Sequence, residues 1–394
     1  MHASGDKALR LILLLGLVSL AADMVYEGAR SITGPYLLIL GASATMVGLV
    51  AGVGEIASYG ARILFGYAAD KSRRHWTLIM TGYAMILSLP ALAFANRLDI
   101  ASTLIILERL GKAIRTPSRD VIIAYTASSI GRGKGFGIHE AMDQIGAVIG
   151  PLIVAVVINY QGYSDAFLYL FIPATATLPL LMYARRYATL NLDRDAYTSI
   201  SIHARASIGS IPRLFWLYLA FVSISVAGYA HFQIISYHIK YTSSMEDVYI
   251  PILFALAMGV DALIAIVVGH VFDRKGLLVL ILVPLATLPI APLVFSTNPT
   301  FILAGIMLWG IVMGMQETIM RASIATMVDK ARLATAYGLF NGVYGIAWFS
   351  GSIVMGMLYE SSVLNVIIFS VALSIASMLL LLVMLKVLKA SSNV

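Results

Sequence analysis

The sequence predicts an all-α integral membrane protein built as two six-helix halves, and three observations predict it. Of its 394 residues 60% are hydrophobic and 12% charged, against about 25% charged in an ordinary soluble domain. Apolar runs of roughly 20 residues, the length that crosses a bilayer, recur along the whole chain. Short motifs in the first half return, in order, in the second.

The mean hydropathy is +0.88, and the length allows about twelve spans with short loops. They are expected near 9–39, 45–67, 77–96, 101–127, 136–159, 166–184, 213–239, 249–271, 277–297, 299–327, 335–358 and 363–386. The first run has no small-residue cleavage site before its charged stretch, so it reads as a retained span, not a signal peptide. Basic residues alternate between sides. One side takes Lys7, Arg10, Lys71, Arg73, Arg74, Arg132, Lys134, Arg185, Arg186, Arg194, Arg205, Arg213, Arg274, Lys275, Lys330, Arg332, Lys386 and Lys389. The other takes Arg97 and Lys240. The basic side should be cytoplasmic, which puts both termini there and makes the number of spans even. The longest polar segment, 185–212, reads as a cytoplasmic linker between halves 1–184 and 213–394.

Composition also excludes function classes. The net charge of +7 sits in short loops, so it reports topology and not a nucleic-acid partner. The absence of cysteine rules out disulfides, thiolate metal sites and cysteine nucleophiles. No GxxxxGK[ST] is present, which argues against an ATP-driven pump. No zincin motif or Ser-His pattern suggests an enzyme, and nothing calls for a cofactor.

The repeat is specific. FGYAADKSRR (65–74) ends span two and VGHVFDRKG (268–276) ends span eight, with Asp70 and Asp273 203 positions apart. GFGIHEAMDQIGAVIGP (135–151) opens span five and AYGLFNGVYGIAWFSGS (336–352) opens span eleven. Gly137 matches Gly338 and Gly150 matches Gly351 at an offset of 201, and Tyr26 and Tyr229 lie 203 apart. Repeats of this kind in membrane proteins commonly mean a transporter. Spans three, six and nine hold no charge, and span twelve none before its final residue, Lys386. A charge near mid-bilayer costs several kcal/mol unless it meets a polar cavity or a partner. Every third helix is therefore expected to face lipid, with the others around something wet.

Nearly the whole chain resembles the major facilitator superfamily, a prokaryotic branch similar to drug/proton antiporter-like permeases. That family's cytoplasmic signature, a Gly, an Asp four residues on, then basic residues, is read twice, in GYAADKSRR from Gly66 and GHVFDRKG from Gly269. Gly146, Gly150 and Pro151 match the start of its span-five antiporter signature, with LIVA where further glycines would follow. Arg109, in ERLGKAIRTPSRD, matches its span-four arginine. The resemblance implies a monomeric secondary transporter of the plasma membrane that works by alternating access. It implies a cytoplasmic latch from Gly66, Asp70, Arg73, Arg74, Gly269, Asp273 and Arg274.

The charged spans supply the chemistry. Asp23, Tyr26, Glu27 and Arg30 follow i, i+3, i+4, i+7 spacing and share one face of span one. Arg30 can pair with Glu27 or Tyr26, whereas Asp23 needs a partner elsewhere, and Gly34-Pro35 should bend the helix. Glu55 on span two is a further proton carrier. On span four, Glu108 and Lys112 form an i, i+4 pair in the favourable order. Arg115 and Arg119 are left to neutralise Glu27, Glu55 or Asp143, or to attract an anion. Asp143 on span five follows His139 by one turn.

The expected network for protons is therefore Asp23, Glu27, Arg30, Glu55, Arg109 and Asp143. The expected substrate contacts are Tyr26, Lys112, Arg115, Arg119, Tyr229, His231, Gln233, Glu317, Asn341 and Tyr344. Charge is thus assigned to the first half and neutral contacts to the second. Efflux of a small organic compound in exchange for protons is the expectation, with an organic anion or a divalent metal as alternatives. His231 and His238 lie about 10 Å apart by helical rise, too far for one ion on a regular helix.

Overall fold

The computed structural model describes residues 5–191, 211–329 and 332–392. Of the expected features, Arg194, Arg205, Lys330 and most of the linker lie outside these residues. So do the side chains of Asp70, Arg132 and Lys389.

Every regular element among the described residues is helical, as the bilayer demands of a backbone with no water to bond. Helix α1 runs unbroken from Gly5 to Ile39. Pro35 does not stop it, so the bend expected there does not interrupt the span. Span two is α2 (Ala44–Glu55), a π-turn (Ile56–Gly60) and α3 (Ala61–Ser72). Span three is α4 (His75–Ala84), finishing in 3₁₀ turns around Pro90, where the missing N–H ends the α ladder. Then come α5 (Leu98–Thr126), α6 (Arg132–Tyr160), α7 (Tyr163–Tyr169) and α8 (Phe171–Asn191).

The later spans are more broken. Span seven stops at Ala227 and restarts at Phe232, giving α9 (Arg213–Ala227) and α10 (Phe232–Tyr241). Next is α11 (Tyr249–Lys275), then a 3₁₀ segment (Gly276–Ile281), α12 (Leu282–Thr287) and α13 (Ile290–Val294). Pro284, Pro289 and Pro292 fragment that stretch. Span ten is α14 (Pro299–Met315), a second π-turn (Gln316–Met320) and α15 (Arg321–Met327). Helices α16 (Leu333–Ser361) and α17 (Val363–Ser392) complete the chain.

Among the described residues, ten stretches are long and apolar enough to cross a membrane. One, Tyr249–Val294, has 46 residues and takes in two expected spans. The expected fourth span, α5, is not among the ten, because its charges exceed what composition allows.

The chain divides into two compact units. The first comprises Met1–Tyr36, Ala57–Ile202 and Asp247–Ala255, and the second Leu37–Ile56, His203–Glu246 and Leu256–Val394. In the first, α4 packs on α5 and α6 on α1. A Cβ on Gly150 of α6 would run into the Met24 carbonyl of α1. In the second, α16 packs on α2 and on α9, and a Cβ on Gly351 of α16 would run into the Ala227 carbonyl of α9. Met24 and Ala227 lie 203 positions apart. The sequence repeat is therefore also a repeat of packing, with glycine where two backbones meet.

The doubled signature repeats a turn as well. Arg73 caps α3 with φ 54° and Gly276 follows α11 with φ 59°, again 203 positions apart. Steric demand for the signature glycines is absent. A Cβ on Gly66 would meet Pro117 at 3.9 Å, and one on Gly269 would meet Thr318 at 3.7 Å, both ordinary contacts. Arg73, Arg74, Asp273 and Arg274 are exposed.

Candidate functional site

The first unit gathers the intramembrane charges around Tyr26 of α1. Arg109 of α5 donates a hydrogen bond to the Tyr26 hydroxyl oxygen, and its guanidinium lies 4.7 Å from the ring centroid. Lys112, one turn further along α5, places its ammonium 4.0 Å from the same centroid. Cation–π contacts contribute about 2 kcal/mol when desolvated, and Tyr26 is 3% exposed. Arg30 donates to Glu27 at 3.4 Å, as its spacing predicts, and its guanidinium lies 5.8 Å from the Phe254 ring.

Lys112 thus sits on Tyr26, and the expected Glu108–Lys112 pairing is replaced. Arg115 bonds Glu108 at 3.3 Å and lies 5.0 Å from the Tyr83 ring. Residues 108 and 115 are two turns apart, and both side chains are almost fully buried. Arg115 also donates to the Gly82 carbonyl at 3.4 Å, so the acid and base meet over two turns with the arginine further bound. Asp23, half-buried, lies in the field of Lys112, Glu27, Arg115 and Arg119.

A second string of groups runs between α4, α1, α6 and α5. The Tyr83 hydroxyl is 3.0 Å from Ser19 Oγ, and Ser19 Oγ is 2.8 Å from His139 Nε2. His139 Nδ1 is 3.6 Å from Asp143 Oδ2. Arg119 reaches the same carboxylate oxygen at 3.9 Å and Asp120 at 3.0 Å. Asp143 Oδ1 is buried and has no hydrogen-bond partner among the described residues. Such an orphaned oxygen is costly when it carries part of a carboxylate's charge.

Sequence reasoning missed Ser19 and Tyr83. Ser19 lies four residues before Asp23 on the charged face of α1, so helical spacing could have found it. Tyr83 lies on span three, which was assigned to lipid because it has no charge. The span keeps exposed positions at Thr77, Thr81 and Ala84, and its other face brings Tyr83, 1% exposed, into the network. A tyrosine brings a polar tip on an apolar body and leaves no mark in a charge count.

The second unit gathers mostly neutral groups, and Glu55 meets His231 among them. Glu55, the last residue of α2 before its π-turn, lies 3.2 Å from His231 Nε2. His231 occupies the break between α9 and α10 and packs its ring 4.9 Å from Trp348 of α16. Trp348 meets Tyr344 edge to face at 5.5 Å, and the Tyr344 hydroxyl donates to Gln316 Oε1 at 2.8 Å. The cluster therefore runs from the end of α2 to the second π-turn, and such turns recur at functional sites.

The break itself is well satisfied. Trp309 Nε1 donates to the Ala230 carbonyl at 2.9 Å, Ser370 Oγ to the Gly228 carbonyl at 2.7 Å, and the Tyr229 hydroxyl to the Trp309 carbonyl at 2.7 Å. Non-helical backbone at membrane depth persists where side chains complete its bonds in this way. By contrast Gln233 Oε1, Gln316 Nε2 and Trp348 Nε1 are buried without a partner among the described residues. Asn341 and Glu317 are half-buried on α16 and the second π-turn. His238 goes elsewhere, to the Tyr359 hydroxyl at 2.7 Å. The described residues contain no group of three His, Cys, Asp or Glu side chains placed to hold a metal ion.

Residues 15–352 match the sequence profile of the Major Facilitator Superfamily. The chain belongs to that family. It is a membrane transporter and not an enzyme, with the family's helical fold. It is 36% identical over 398 residues to an uncharacterised protein of Mycobacterium tuberculosis, covering 97% of each chain. It is 27% identical over 381 residues to an uncharacterised MFS-type transporter of Methanocaldococcus jannaschii, covering 94% of each. Among solved structures, a mutant of the nucleoside transporter NupG superposes with a TM-score of 0.77 at 15% identity, over 95% of this chain and 99% of that one. A mutant of the peptide transporter POT superposes at 0.73 with 14% identity, over 96% and 94%. At these identities the structures speak for the fold alone.

Proposed function

We propose that this transporter couples proton movement to the export of a small organic compound. It works by alternating access, as a monomer of the plasma membrane with twelve crossings and both termini in the cytoplasm. The observation that carries the reading is Asp143. It is a carboxylate inside the membrane with one oxygen between His139 and Arg119 and the other without a partner. A carboxylate in apolar surroundings takes up a proton when a neighbouring cation withdraws, and gives it back when the cation returns. Arg119 is that cation at Asp143, and Lys112 is its counterpart at Asp23. Each loss of charge releases a cation that another acid can hold, so protonation and side-chain rearrangement are linked. The doubled signature turn is the cytoplasmic latch in this reading, and Gly146, Gly150 and Pro151 favour antiport.

The second unit supplies contacts to the substrate. Its broken span, aromatic cluster and three unpartnered buried polar atoms are what an uncharged, hydrogen-bonding compound needs. The placement of Arg109 and Lys112 together on Tyr26 favours a second reading, an organic anion held by those two cations.

The test is transport in proteoliposomes under an imposed pH gradient, with saturation separating a carrier from a channel. Asp143→Asn, Asp23→Asn and Glu27→Gln are each expected to cut gradient-driven transport while sparing substrate exchange at equal pH. Full gradient-driven transport in all three would sink the proton reading. Loss of all transport on chelation would move the reading to a metal.

A further inference from the structure

The second unit holds a cavity that the transport reading does not use. It lies where the end of α11 meets the last turns of α17, and its volume is about 780 Å³. Leu277, Leu278, Leu382 and Leu385 form its walls, and among the described residues Lys275 and Lys386 supply its charged side chains.

Local sequence explains the shape. Helix α11 ends in Arg274 and Lys275, and Gly276 follows at φ 59°, a conformation that costs glycine little. The chain turns there into a 3₁₀ segment, which brings Leu277 and Leu278 beside the cation that ended the helix. On α17, Leu382 and Lys386 are one turn apart and share a face. Leucine rows on two elements thus each finish in an ammonium at the same cavity. Asp273 lies two residues before Lys275, about 200° around the helix, and does not line the cavity.

We propose that this groove binds one anionic phospholipid of the inner leaflet, its phosphate between Lys275 and Lys386 and its acyl chains along the leucines. Both lysines lie toward helix ends that the positive-inside rule assigns to the cytoplasm, the side whose leaflet carries anionic lipid. Leu278 is 60% and Leu382 39% exposed, so the walls stand open to the acyl region. An ammonium is a compact charge that engages a phosphate from any direction, which suits a headgroup that is not held rigidly. A zwitterionic lipid offers the same chains but cancels much of the attraction.

The test uses the purified full-length protein in detergent, titrated with phosphatidylglycerol or with phosphatidylcholine of matched chains. Retained lipid is read by native mass spectrometry and the midpoint of thermal unfolding is followed in parallel. Phosphatidylglycerol should raise the midpoint and remain bound, and phosphatidylcholine should do neither to the same extent. The double variant Lys275→Gln/Lys386→Gln should bind phosphatidylglycerol roughly tenfold more weakly. Leu382→Trp, which fills the groove and keeps both lysines, should lose the same lipid. The pair Arg185→Gln/Arg186→Gln, remote in sequence from the groove, should leave binding unchanged.

Three results would overturn the proposal. One is equal retention of both lipids, which would make the groove a generic lipid contact. Another is unchanged phosphatidylglycerol binding in both groove variants. The last is an equal thermal shift with inorganic phosphate, which would make the ligand a solute anion and not a lipid. Should the double variant prove misfolded by size exclusion, Leu382→Trp decides alone. None of these readouts depends on transport.

Discussion

The two units share a packing plan and differ in what they bury. Along its spans the first carries Arg30, Arg62, Arg109, Lys112, Arg115 and Arg119 with Asp23, Glu27, Glu108, Asp120, Glu140 and Asp143. The second buries stacked aromatics and amides around the pair of Glu55 and His231. Yet Gly150 and Gly351 each press a fifth or eleventh span onto a carbonyl of the first or seventh. Duplicated packing with diverged chemistry teaches that the helix contacts hold the architecture, while the buried polar groups are free to specialise.

The largest effect should come from breaking the Glu55–His231 pair of the second unit. His231→Ala takes away the imidazole that meets buried Glu55 and removes the ring beside Trp348. It should destabilise the protein by about 3 kcal/mol or more, read by unfolding in mixed detergent. Glu55→Gln in the same background should recover most of the loss. If His231→Ala alone is harmless, the pair is not what holds the break in span seven.

Next in size is Asp143→Asn in the charged unit. It should lower gradient-driven transport on the order of 100-fold, as loss of a proton-transfer group does, with near-normal folding. The contrast sharpens if Glu55→Gln, in the otherwise unchanged protein, retains gradient-driven transport, since that would confine proton movement to the first unit.

The shared plan can be tested directly with Gly150→Ala and Gly351→Ala. Each pushes a methyl into a backbone carbonyl, so each should cost about 2 kcal/mol and the two should match in thermal midpoint. A large difference would mean that the repeat is one of sequence and not of packing.

The smallest expected effect is on substrate contact. Trp348→Phe removes an unpartnered donor and keeps an aromatic ring. It should raise KM about tenfold if that donor meets substrate, with the pH dependence of transport unchanged. An unaltered KM would reduce Trp348 to a packing role.

Much of the charged site was legible in advance, because ionisable residues in apolar sequence declare themselves. The shared face of Asp23, Tyr26, Glu27 and Arg30 followed from spacing, and Arg30 does bond Glu27. Partner choice was less legible. Spacing favoured Glu108 with Lys112, but Arg115 took Glu108 because Tyr26, from another helix, offered Lys112 its ring. Ser19 and Tyr83 were missed for a related reason, since neutral hydroxyls are scattered through membrane helices and gain a role from what they meet. Glu55 was read as a first-half proton carrier, yet its partner is His231, 176 positions away. No local pattern could have named that contact.

The sequence by itself determined the all-helical membrane class, the duplicated motifs and the family, because hydropathy and repeat spacing act along the chain. It also determined that charge would concentrate in the first half. Only the tertiary structure decided which cation met which acid, where span seven broke and where spans two and ten took their π-turns. Those outcomes turn on contacts between distant segments in a medium without water, where each buried polar group takes whichever partner the packing brings within reach.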